Sequence, residues 1–182
     1  MVQEAIRKAD VLIEALPYIK RFRKKIFVIK YGGSILAENR VRKCVLEDIA
    51  FLRFAGIRPI IVHGGGPNIT KELRQRKITT EFIGGMRVTD ETTLKVVEKE
   101  LDKLNDLIVK EVGSHGVKAR GFKAKSELLK VVKKKGKVDL GYVGEVVDFN
   151  RKRLEEVLEE DIPVICPMGF SAQGLAYNIN AD

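Results

Sequence analysis

Pro59-Ile60-Ile61-Val62-His63-Gly64-Gly65-Gly66-Pro67-Asn68 is the stretch from which the rest of the chain can be read. Ile60, Ile61 and Val62 make a β-branched run of the kind buried on both faces of a sheet. Three glycines follow, and Pro67 suits the first turn of a helix, where its missing N–H is not needed. The reading is strand, glycine turn, helix. Side-chain-free residues at the carboxyl end of a parallel strand let an anion approach bare backbone N–H groups, and the helix N-terminus adds a favourable dipole. Taken alone, Gly64, Gly65 and Gly66 serve equally as a tight turn or as an anion seat, and a second such turn would tip the balance.

Upstream there is one. Ile26 to Ile29 is a short β-rich run followed at once by Lys30-Tyr31-Gly32-Gly33-Ser34. Lys30 takes the last strand position, where a compact ammonium could reach a phosphate held over Gly32 and Gly33. The plainer reading is a surface lysine beside a turn. Neither GxGxxG opening a helix nor GxxxxGK[ST] occurs, so any phosphate chemistry is of neither common nucleotide-fold type.

Between the turns, Asn39 is read as the cap of a helix with Val41, Val45, Ile49 and Leu52 on one face, stopped by Gly56. After the second turn, Pro67 to Lys77 reads as a helix anchored by Ile69 and Leu73. This alternation predicts an α/β fold with a mainly parallel sheet, right-handed crossovers and helices on both faces. Both glycine turns then lie at one sheet edge and face one crevice. Arg87, between Met86 and Val88, is either pinned in a structural ion pair or aimed at an acidic ligand.

Thr89 or Asp90 caps a long helix with Leu94, Val97, Leu101, Leu104 and Ile108 on one stripe, closed by Gly113. Beyond it, Val117 to Arg120, Leu128 to Lys133 and Val138 to Phe149 read as β-hairpins, with Lys133 to Lys135 at a solvated tip. Asn150 then caps a helix through Leu154 and Leu158, and Ile162 to Cys166 is a further strand. His63 and His115 lack acidic partners in sequence, which favours structural roles.

A chain of 182 residues with 45% apolar content can bury one good core. Its formal charge of +9 is spread over several helices, and 7% aromatic content without a stacking motif argues against nucleic acid. No apolar run approaches the about eighteen residues of a membrane span, which predicts a cytoplasmic protein. Cys44 and Cys166 show no CxxC spacing and are expected as buried free thiols, with no metal site. Val2, Ile6, Ala9, Ile13 and Leu16 recur in steps of four and three, so an amphipathic helix is expected, kinked or ended at Pro17. Residues 1–22 form an extension that packs either on its own domain or on another subunit.

Lys30 to Ser34, His63 to Pro67, Gly85 to Asp90, Asp139 to Gly144 and Tyr177 to Asp182 together resemble the acetylglutamate kinases of the amino-acid kinase family, over essentially the whole chain. That family continues past the position of Asp182 into a nucleotide-binding half. The resemblance therefore implies that residues 23–182 are the N-acetyl-L-glutamate-binding lobe, truncated at the hinge. It implies transfer of the ATP γ-phosphoryl group to a side-chain carboxylate in arginine biosynthesis, with Mg2+ accompanying ATP as co-substrate and no prosthetic group. Lys30 would be catalytic, with Asp182 orienting it. Gly32 and Gly33 would bind phosphate, and Gly65, Gly66, Arg87 and Asn178 would hold the acetylglutamate. The N-terminal stripe resembles the extra helix of arginine-inhibited members, which implies a homo-oligomer. Where those relatives carry Gly-Lys-Asp, this chain has Phe122-Lys123-Ala124-Lys125-Ser126, so a differently shaped hairpin over the site is expected. A non-catalytic acidic-ligand module or relic, or a kinase of another acidic amino acid, are the other readings.

Overall fold

The computed structural model describes residues 2–33, 35 and 38–182, so Ser34 of the first glycine turn lies outside the described residues. A four-stranded, wholly parallel sheet runs β1 (Ile26–Tyr31), β2 (Arg58–His63), β8 (Ile162–Ile165), β5 (Ala119–Phe122). Register pairs Lys30 with Val62 and Tyr31 with His63. The two glycine turns therefore leave the sheet side by side, and Gly64 N–H donates to Tyr31 O at 2.8 Å.

The alternation of the strands sorts the core. Tyr31, Ile61 and Val164 point to one face, where α2 (Asn39–Phe54) and α4 (Glu91–Gly113) bury Leu46, Ile49, Leu104 and Ile108 against them. Ile60, Phe122 and Ile165 point to the other, covered by Val157 and Leu158 of α5 (Arg151–Glu160). The α/β sheet with helices on both faces is as expected. α3 (Gly66–Gln75) packs on α4 through Ile69, Leu73, Val97 and Leu101, with Cys166 and Met168 beneath.

After α4 the hairpin expectation holds only in part. β6 (Leu129–Lys133) and β7 (Val143–Phe149) are an antiparallel pair, and Lys133 meets Asp139 at 2.8 Å near its tip. With β9 (Met168–Phe170) and β10 (Ala176–Ile179) they close a small barrel. β5 is no hairpin strand but a parallel edge of the main sheet, because the chain leaving α4 crosses back over that sheet. The segment Phe122 to Ser126 does not cover the site either. It folds onto α4, where Ala124 N–H donates to Asp102 Oδ1 at 2.8 Å and Lys123 and Lys125 pair with Asp106 and Glu98.

Local signals near helix ends also shift. α1 (Val2–Phe22) continues through Pro17 and buries none of its side chains; its last residue, Phe22, meets Phe27 edge-on at 5.3 Å. The cap of α2 is Glu38, without a side-chain bond, and Asn39 lies inside the helix. Asp90 does cap α4, accepting from Thr93 N–H at 2.7 Å, but the helix includes Gly113, and the left-handed residue after it is Gly116, φ 82°. Asn150 caps α5 as expected. Of the thiols Cys166 is buried and Cys44 exposed. Among the described residues no helix is long and apolar enough to cross a membrane.

Candidate functional site

At the carboxyl ends of β1 and β2 the two glycine turns floor a cavity of about 250 Å³. Lys30, Gly32, Gly33, Gly65, Gly66, Arg87 and Asn178 all line it, so the residues singled out from sequence or resemblance converge although they come from four separate stretches. Asp182 is not part of the wall, but its carboxylate bonds the Lys30 ammonium, with both side chains about half exposed. The short ladder of β3 (Phe82–Ile83) and β4 (Met86–Arg87) makes one wall, and β10 with the residues after it makes the other.

The floor is backbone. Gly65, the cap residue of α3, has φ −170°, and a Cβ there would stand 2.5 Å from Leu101 Cδ2, so helix α4 leaves no room for a side chain. The N-terminus of α3 opens toward the cavity with Pro67 in its first turn, an arrangement that favours anions.

Arg87 resolves one of the alternatives left open by sequence. Its side chain is buried, 5% exposed, and no carboxylate among the described residues pairs with it. Nη2 donates to Thr70 Oγ1 at 2.8 Å and Gly66 O at 3.3 Å, Nη1 to Thr80 Oγ1 at 3.3 Å. The guanidinium stacks 4.5 Å over Phe82. Burial holds it below its ordinary pKa, yet an arginine stays protonated, so a cation faces the cavity with neutral partners only.

Thr89, fully buried, joins two of the site residues. Its Oγ1 donates to Arg87 O at 2.8 Å and accepts from Asn178 Nδ2 at 3.4 Å. Beneath the floor, His63 lies against Gly64 O and Asn105, and burial, its main influence, lowers its pKa. Asn180 also lines the cavity and was missed; its spacing of two from Asn178 was the available signal. Among the described residues no cluster of His, Cys, Asp and Glu could hold a metal ion.

Comparison with known proteins shows the family. Residues 25–182 match the sequence model of the amino acid kinase family. The chain is 46% identical to an acetylglutamate kinase from Thermoanaerobacter pseudethanolicus over 98% of its own length and 61% of that protein's. It is 44% identical to one from Desulforamulus reducens, over 97% and 63%. The chain thus spans less than two thirds of the length of these curated relatives. Among solved structures, that of smu.665 from Streptococcus mutans UA159 superposes with a TM-score of 0.77 at 31% identity, covering 86% of this chain and 64% of that one. With most of its length matched to the family and a fold shared with its relatives, the chain belongs to the amino acid kinase family.

Proposed function

We propose that this chain forms the acceptor side of an ATP-dependent phosphotransferase whose acceptor is the side-chain carboxylate of N-acetyl-L-glutamate, a step of arginine biosynthesis in the cytoplasm. The observation that carries the reading is Arg87, a buried cation that no carboxylate among the described residues pairs with, on the wall of a cavity floored by glycine backbone. A ligand carboxylate would neutralise it, and relatives at 44–46% identity are named acetylglutamate kinases.

In this reading the α-carboxylate of the acceptor takes Arg87, and Asn178 holds its polar body. The side-chain carboxylate then lies over the glycine floor. Its oxygen attacks the γ-phosphorus of ATP and the bond from that phosphorus to the β-phosphate oxygen breaks, giving an acyl phosphate and ADP. Such a transfer needs alignment and charge neutralisation more than covalent help. Amides of Gly32, Gly33 and Gly65 donate to the oxygens of the moving phosphoryl group, Lys30 offsets its charge, and Asp182 holds Lys30 in place. MgATP is the co-substrate, held by residues outside this cavity. The exposed apolar stripe of α1 packs on a second copy of the chain.

Calorimetric titration with N-acetyl-L-glutamate, and with L-glutamate for comparison, tests the reading. Saturable binding of the acetylated acid alone is expected, with no ADP release when MgATP is added to these 182 residues. Absence of binding, or equal binding of L-glutamate, would overturn the substrate. Turnover abolished by Lys30→Ala would overturn the division into acceptor and donor sides.

A further inference from the structure

The Gly65 amide is aimed by two side chains that lie outside the cavity. Asn105 of α4 is wholly buried, with Nδ2 3.0 Å from Val164 O and 3.1 Å from His63 Nε2. His63, equally buried, has Nδ1 2.9 Å from Gly64 O. A backbone carbonyl can only accept, so Asn105 must turn its NH2 group to Val164, and the same group then offers a donor to His63. His63 Nε2 has to be bare and Nδ1 has to carry the proton, which it donates to Gly64 O. Burial favours the neutral ring that this pattern needs.

Among the described residues no peptide bond is cis, so the one between Gly64 and Gly65 is trans and close to planar. Its C=O, held toward His63, sends the Gly65 N–H the opposite way. No backbone carbonyl among the described residues accepts from that N–H, and Gly65 lines the cavity. The Gly64 N–H is already spent on Tyr31 O.

We propose that His63 and Asn105 are positioning residues for phosphoryl transfer: one proton pattern, set by Val164 O, locks the Gly64–Gly65 peptide so that Gly65 N–H faces the transferring group. The assignment rests on the phosphotransferase reading above. Two features argue that the network is more than filler. Asn105 Oδ1 is left buried without a partner, a cost that a leucine at this position of an apolar stripe would avoid. Gly121 of β5 stays bare where a Cβ would run into that same oxygen, so a second position is committed to keeping Asn105 in place.

Long-range ¹H–¹⁵N NMR on the whole chain reads the His63 tautomer without any variant. The Nδ1–H form is expected; the Nε2–H form, or an imidazolium at neutral pH, would overturn the proposal. Inorganic phosphate should shift the Gly65 amide in the wild type, and a Gly65 signal that phosphate leaves unmoved would count against it. In Asn105→Leu the single tautomer should be lost and phosphate should bind about tenfold more weakly, as for one lost bond to a charged group. A folded Asn105→Leu with unchanged phosphate affinity would also overturn it. If tautomer and phosphate response hold but N-acetyl-L-glutamate does not bind, the positioning network stands and the substrate assignment falls.

Discussion

Replacing Arg87 by lysine keeps the charge and removes the planar fork. Three of the five guanidinium donors are engaged, by Thr70, Thr80 and Gly66, which leaves two for a ligand carboxylate. An ammonium has three donors on one atom and would still be drawn by the same hydroxyls and carbonyl, so about one charged hydrogen bond to the ligand disappears. That loss is about 1.5 to 3 kcal/mol, or roughly ten- to a hundredfold in the Kd for N-acetyl-L-glutamate. The stacking on Phe82 goes as well, about 0.5 to 2 kcal/mol of stability for a partly desolvated pair, which for a chain of this size lowers Tm by about 1 to 8 °C. Calorimetric titration and scanning calorimetry on the two proteins separate the effects. Equal affinities would refute the clamp and leave Arg87 a packing residue; an unchanged Tm would refute the stacking account.

In a form of the protein that turns over, Lys30→Ala should cut kcat by an amount worth about 2 to 4 kcal/mol with KM little changed, because the contact strengthens in the transition state; a raised KM at constant kcat would contradict this. Deleting residues up to Pro17 should lower the mass seen by light scattering while the core stays folded, since Val2, Ile6, Ile13 and Leu16 are 45–75% exposed on one chain; an unchanged mass would show that α1 associates with nothing. Gly121→Ala should lower the denaturation midpoint, because the new methyl meets Asn105 Oδ1, and a midpoint equal to wild type would remove the crowding argument. The His63 pKa is lowered in the folded chain, so the unfolded chain binds its proton first: stability from this group is complete above about pH 6.5 and is lost as pH falls through the folded pKa. Urea midpoints between pH 7.5 and 5 should show that loss in the wild type and less of it in His63→Gln; identical slopes would assign the loss to other groups.

The sheet and its glycine turns were legible because their signals are local. β-branched runs ended by glycines mark β1 and β2 without any knowledge of distant residues, although only β2 is buried on both faces while Ile26 and Val28 of the edge strand β1 are exposed. The barrel was not legible: β9 has three residues and β10 four, and β10 pairs in parallel with β7 across an intervening helix and two strands, so neither carries a periodic signal of its own. Pro17 does not end α1: no side chain of that helix is buried, so water can bond the carbonyl left free by the missing N–H. Lys30, Arg87 and the glycines followed from residue type and position. Asn178 and Asp182 came only from resemblance, since Asp182 lies 152 residues from the lysine it bonds. Asn105 did leave a trace that was passed over, a polar residue four after Leu101 and three before Ile108 on the apolar stripe of α4.

The residues that line the cavity and those that shape it are different sets, and this limits what side-chain chemistry alone can find. Lys30, Arg87 and Asn178 supply charge and polarity, and sequence or resemblance pointed to all three. In the proposed reaction the phosphoryl oxygens are held by glycine amides, which offer no side chain to recognise and whose directions are set from outside. Tyr31 O fixes the Gly64 N–H, His63 fixes the Gly64 carbonyl, and Thr89 ties the Arg87 backbone to the Asn178 amide. It follows that changes behind the floor, at Asn105 or Gly121, should disturb the site although neither residue touches the cavity. A scan of the cavity wall alone would find its charges without finding what aims them.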